Sequence, residues 1–103
     1  MRDRQRLNNR RSNTTFDFEI KGLRYTATVG YYPNGHVGEL FLNNHKSNST
    51  ADTNARDAAI AFSFAVQHGA EIEDIRCALC RDSHGRASGP LGAALDLLLG
   101  DKS

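Results

Sequence analysis

The sequence predicts an α+β fold: a three-stranded antiparallel meander followed by two to three helices packed on one face, in the order β-β-β-α-α-α. Three observations carry this. Two early runs alternate apolar and polar side chains at a period of two, with Lys21-Gly22 between them. Pro33-Asn34-Gly35 then marks a turn before a third apolar run. From Ala55 onward the apolar spacing changes to three and four, the period of a helix.

In the first run, residues 15–20, Phe16, Phe18 and Ile20 alternate with Asp17 and Glu19, as in a half-buried strand. In the second, residues 24–31, Tyr25, Ala27, Val29 and Tyr31 share one face, and the β-branched and aromatic content favours a strand. Residues 37–42, VGELFL, form the third. Asn43–Thr53 is a polar loop in which Thr50, Asp52 and Thr53 are all plausible N-caps. A helix over 54–68 follows, with Ala55, Ala58, Ala59, Phe62 and Val66 as its stripe. Ile60 and Phe64 project from the opposite side, so this helix is either sandwiched or part of an interface. His68-Gly69 ends it. Residues 71–81 read as a short second helix with Ile72, Ile75 and Leu79 buried. Pro90 starts a third, closed by Gly100, with Leu91, Ala94, Leu95 and Leu98 facing inward.

The chain has 103 residues and a net charge of +1, which hides an asymmetry. Residues 1–13 read as a mobile basic arm carrying Arg2, Arg4, Arg6, Arg10 and Arg11 against one acid, Asp3. Residues 14–100 read as a single domain. Eight positive and eleven negative charges lie outside the arm, a balance that argues against a broad basic nucleic-acid face on the body. The arm suits a polyanion, or an acidic surface on a partner or on the body itself. No run approaches a membrane span, no secretory h-region precedes the fold, and two cysteines make no disulfide framework. The expected location is the cytoplasm, with no membrane partner.

Chemistry-bearing residues are few. Cys77, Cys80 and His84 form C-x2-C-x3-H, a candidate metal or redox set. Against it, the pair lies within a predicted helix, no second ligand pair exists, and the thiols suit small apolar packing against a neighbouring helix. Asn43, Asn44, His45 and Lys46 precede a helix N-terminus and are candidate ligand-loop residues; the alternative is a helix-capping connection. Glu39 is expected to face solvent, with pairing to Lys46 or an arginine as the other reading. Of Tyr25, Tyr31 and Tyr32, only Tyr32 is expected to leave the core face. No catalytic constellation or cofactor motif is present, so catalysis by this chain alone is not expected.

The strings GLRYTATVGYYPNGHVGELFLNNHK, ADTNARDAAIAFSFAVQHG and RDSHGRASGPLGAALDLL resemble the TSCPD domain. That module lies near the C-terminus of adenosylcobalamin-dependent (class II) ribonucleotide reductases and also occurs as small stand-alone proteins. The resemblance covers roughly residues 15–99. Its most specific elements are Gly35 with Glu39–Leu42, Asp52 with Arg56-Asp57, Gln67-His68-Gly69 and Gly89–Gly92. The Thr-Ser-Cys-Pro-Asp string is absent, as are the reductase's catalytic barrel and cysteine-rich tail. The resemblance implies ancestry and an accessory fold. The expected function is a stand-alone accessory or regulatory module that binds a larger protein, or itself, with Ile60 and Phe64 as interface candidates. The alternatives are a nucleic-acid-associated protein using the arginine arm, and a metal- or nucleotide-binding sensor.

Overall fold

The computed structural model of the chain describes residues 3–100. Strands β1 (Asn13–Ile20), β2 (Leu23–Tyr31) and β3 (Val37–Asn44) form an antiparallel sheet in the order β1-β2-β3. Helices α1 (Thr50–Gln67), α2 (Ile72–Ala78) and α3 (Pro90–Leu98) follow, so the α+β fold and its element order stand as the sequence predicts. Lys21 and Gly22 both take positive φ, 53° and 78°, the left-handed pair that a two-residue hairpin favours. At the second turn the Gly35 amide donates to the Tyr32 carbonyl at 2.9 Å. The pairing shifts by one residue at Gly30/Tyr31.

The register sets Phe18 opposite Tyr25, Ala27 opposite Leu42 and Val29 opposite Leu40. These six share one face and are all buried. The Phe18 and Tyr25 rings stack with centroids 5.5 Å apart. Against that face α1 lays Ala55, Ala59 and Phe62, and α3 lays Ala94 and Leu95. Small residues at 55 and 59 let the helix axis approach the sheet closely, while Phe62 supplies the buried area. From α2, which has no fully buried residue, Ile72 and Ile75 lean on the same core, as does Leu79 beyond its end.

Side chains of α1 also close the outer edge of β3. An edge strand presents alternate N–H and C=O groups to whatever lies beside it. Here the Leu40 amide donates to Ser63 Oγ at 2.9 Å, and the Ser63 hydroxyl donates back to the Leu40 carbonyl at 3.1 Å. Gln67 Nε2 donates to the Gly38 carbonyl at 2.9 Å. At the other end, the buried Asp52 carboxylate accepts the Asn44 amide at 2.9 Å. The helix therefore begins earlier than the sequence suggests, and its N-cap is none of the three residues expected. Ser49 caps it, its hydroxyl accepting the Asp52 amide at 3.1 Å. Asp52 belongs to the strand edge instead.

The second helix stops at Ala78, short of the predicted 81. Seven residues make a marginal helix, and tertiary contacts redirect the chain. Arg81 bridges to Ala87, while its guanidinium donates to Asp96 Oδ1 and Oδ2 at 2.8 and 2.9 Å. Arg76 Nε donates to Asp96 Oδ1 at 2.7 Å. One carboxylate on α3 thus holds both α2 and the loop beyond it. The hydrogen bonds from Arg81 and Arg76 hold the Asp96 carboxyl down at a pKa of about 2, against the opposing effect of its burial.

Two outcomes follow from these contacts. Asp52→Ala strands the Asn44 amide beside the helix and lowers stability by about 1–3 kcal/mol. Arg56→Ala removes only the exposed end of a 3.8 Å ion pair to Asp52 and costs about 1 kcal/mol at most. Urea denaturation midpoints of the two variants give the comparison. For Asp96, the folded state releases its proton more readily than the unfolded chain, whose carboxyl titrates near ~3.9. Its stabilisation is present above about pH 4 and fades as the pH falls toward 2. Wild type should exceed Asp96→Asn by about 1 kcal/mol at pH 6, after allowance for solvent screening. That gap should close between about pH 4 and pH 2, read from denaturation midpoints across the series.

Candidate functional site

Among the described residues, the largest apolar side chains left open near one another are Phe41 on β3 and Ile60 and Phe64 on α1, at 49%, 53% and 46% exposure. Strand parity explains Phe41: Leu40 and Leu42 face the core, so Phe41 faces out. Ile60 and Phe64 are one turn apart on the side of α1 that the sheet does not cover. The three line a groove of about 220 Å³ with Arg4, Glu39, Leu40, Ser63 and Gln67. That volume is small for a metabolite-sized ligand, for which about 300 Å³ is a lower bound, and suits one or two side chains.

The arm enters this groove. Residues 3–12 have no regular secondary structure. The Arg4 guanidinium lies 4.4 Å above the Phe64 ring centroid, and its Nε donates to Gln67 Oε1 at 2.5 Å. The Gln5 amide donates to the Gln67 carbonyl at 2.7 Å, and Tyr32 Oη donates to the Gln5 carbonyl at 2.5 Å. Burial raises the Tyr32 pKa above its ordinary value; Arg4 opposes this and Glu39 adds to it, so the phenol stays protonated and keeps donating. Leu7 is half-buried against Gly38, where an added Cβ would lie 2.8 Å from Tyr32 and 2.9 Å from Leu7.

Arg11 pairs with Glu39 on the outer face of the sheet. Glu39 is only 9% exposed, which corrects the expectation that it faces solvent. Its partner across the register is Gly30, and a Cβ there would lie 2.3 Å from Glu39 Oε2. The missing side chain is what lets the carboxylate lie over the sheet and meet Arg11. Of the five arginines expected to serve a polyanion, Arg4 and Arg11 are thus engaged by the body. Arg6 and Arg10 are exposed, and Arg2 lies outside the described residues.

The remaining candidates do not converge. Asn43 is exposed at the end of β3, whereas Asn44 is buried and accepts the Lys46 amide on its Oδ1 at 2.8 Å. Its Nδ2 has no partner among the described residues. The Lys46 carbonyl accepts the Ser49 hydroxyl at 2.7 Å. Two amides of this connection, those of Asn44 and Asn48, donate to the Asp52 carboxylate, and the Asp52 amide donates to the capping Ser49 hydroxyl. His45 turns to the outer sheet face, where its Nε2 lies 2.9 Å from Thr26 Oγ1. Thr26 donates its own hydroxyl proton to Asp17 at 2.7 Å. The ring nitrogen must then donate to Thr26, the reverse of what activating a hydroxyl nucleophile requires.

Cys77 and Cys80 are free and exposed. They do not pack against a neighbouring helix as expected: Cys77 is on the open side of α2, and Cys80 lies beyond the helix end, after the extended Leu79. Cys77 Sγ lies 3.7 Å from Glu73 Oε1, and His84 stands in the loop, 3.4 Å from an Arg86 nitrogen. Among the described residues no three His, Cys, Asp or Glu side chains gather as a metal set. A cleft of about 750 Å³ lies between the end of β1, the 82–87 loop and α3. Its carboxylates are already matched: Asp96 with two arginines, Asp82 with Arg86 and Glu19 with Arg24. No helix among the described residues is long and apolar enough to cross a membrane.

The chain is 30% identical over 73 residues to the vitamin B12-dependent ribonucleotide reductase of Agrobacterium fabrum, covering 71% of this chain and 6% of that enzyme. With the enzyme of the same name from Rhodopirellula baltica it shares 36% identity over 72 residues, 70% of this chain and 7% of the other. With that of Bradyrhizobium diazoefficiens the figures are 28% over 74 residues, 72% and 6%. No family model and no solved structure matches. The chain thus spans only 6–7% of the length of these curated relatives, the size of one small domain. In sequence it is a relative of a short segment of vitamin B12-dependent ribonucleotide reductases, consistent with a small domain of the TSCPD kind.

Proposed function

We propose that the chain is an accessory or regulatory module that works by binding a larger protein and carries out no chemistry alone. The observation that supports this is the grouping of Phe41, Ile60 and Phe64, three large apolar side chains open on one face of a body whose own core is filled elsewhere. Exposed patches of this kind mark contact surfaces, and aromatic residues dominate the energetics of such contacts. Relatives that hold a similar segment within a much longer enzyme favour a partner of that class, a vitamin B12-dependent ribonucleotide reductase. Two exposed free thiols suit a reducing compartment, and we place the protein in the cytoplasm.

The purified protein, titrated against the purified reductase of its own host by calorimetry, should give saturable binding. Phe64→Ala and Ile60→Asp should each weaken it by about tenfold or more. A His84→Ala variant in the 82–87 loop, whose residues do not line this groove, should leave it unchanged. Absence of binding at micromolar concentration would remove the reductase as partner. Binding that ignores both groove substitutions would remove this face as the contact. Sedimentation of the protein alone tests the remaining occupant, a second copy: a dimer broken by Ile60→Asp would replace the heterologous partner.

A further inference from the structure

The groove beside α1 holds more than an apolar patch; it grips a segment of irregular backbone. Gln5 is held at both its amide, by the Gln67 carbonyl, and its carbonyl, by the Tyr32 hydroxyl. Gln67 lies in the last turn of α1, where carbonyls lack an intrahelical partner and are available to an incoming chain. Its side chain has a fixed orientation. Nε2 is committed to the Gly38 carbonyl, which turns Oε1 toward the groove as an acceptor with Arg4 as its donor. A cation above Phe64 and a donor to Gln67 Oε1 are satisfied together by one guanidinium and not by an aliphatic residue. Three residues on, Leu7 fills the space left by the missing side chain of Gly38, beside Tyr32. Between them Gln5 and Arg6 point their side chains to solvent and are exposed. The grip is therefore sequence-neutral at two positions and selective at two.

We propose that this face is a peptide-binding groove that reads a segment with an arginine followed, three residues later, by an aliphatic side chain. Residues 4–7 of this chain, Arg4-Gln5-Arg6-Leu7, fill it in cis as a displaceable stand-in for such a segment on a partner. The inference deepens the protein-binding reading above but rests only on the arm and the groove, so it stands or falls without the reductase. A tethered segment faces its site at an effective concentration of about millimolar. Contacts this few hold it loosely, and a partner segment competes with it. Loss of the cis contact should raise the apparent affinity for an added segment.

The test uses the full-length chain and a fluorescent synthetic peptide with the sequence of residues 3–12. In anisotropy titrations the Arg4→Ala, Leu7→Ala double variant should bind this peptide about tenfold or more tightly than wild type does, because its own arm no longer competes. Adding Phe64→Ala to the double variant should abolish binding, as should Ala at the arginine and leucine positions of the peptide. The single variants Arg4→Ala and Leu7→Ala should show intermediate gains, and they carry the test if the double variant does not fold by circular dichroism. Equal affinity of wild type and folded variants, binding indifferent to Phe64→Ala, or binding of the doubly substituted peptide would each overturn the proposal.

Discussion

The exposed edge of β3 needs partners for its backbone, and α1 supplies them from the side. Strand and helix run antiparallel beside one another and match in length. The six steps from Gly38 to Asn44 span about 20 Å at the rise of a strand, and the fifteen from Asp52 to Gln67 span about 22 Å at the rise of a helix. The match lets Asp52 meet Asn44, Ser63 meet Leu40 and Gln67 meet Gly38 in turn. Because these polar side chains flank the small residues Ala55 and Ala59, the helix settles against the sheet without a gap. A sheet of three strands with one edge open would be prone to pair with other chains. Here that edge is spent inside the fold.

The same placement decides what remains outside. With 55, 59 and 62 facing the core and 63 and 67 facing the strand edge, Ile60 and Phe64 stay about half exposed, and it is the arm, through Arg4, that lies over the Phe64 ring. They stand beside Phe41, which strand parity turns outward. Gln67 belongs to both arrangements. It completes the strand edge through its amide nitrogen and offers its oxygen and its main-chain carbonyl to the arm. Fold and binding surface therefore share one residue, so the groove exists only where α1 is seated on β3.

Much of this was legible in the sequence. Period-two alternation around Lys21-Gly22 and Pro33-Asn34-Gly35 located all three strands, and the two-sided apolar pattern of residues 54–68 pointed to Ile60 and Phe64. What sequence patterns missed depends on contacts between distant segments. Asp52 looks like one N-cap candidate among three, because nothing local shows that Asn44 needs its carboxylate. Glu39 alternates as a solvent residue would, and only the absent side chain of Gly30 and the course of the arm bring Arg11 to it. Gly38 and Gly30, two glycines within strands, were the available signal, since such positions often mark a close approach of another part of the chain. Cys77 and Cys80 both fall within the helix that the Ile72, Ile75 and Leu79 stripe predicts over 71–81, yet the pairing of Arg81 with Ala87 and Asp96 accompanies an earlier end to that helix, at Ala78.

Native-state amide hydrogen exchange at Leu40 and Asn44 tests most directly whether α1 closes the β3 edge. Both amides point away from β2, and each has a side chain of α1 as its acceptor. With the edge closed as described, the two exchange as slowly as ladder amides in the middle of β2, with protection that reports global unfolding. Exchange at the rate of an open edge, orders of magnitude faster than the β2 amides, would contradict the account and leave the sheet edge and the groove without their common support.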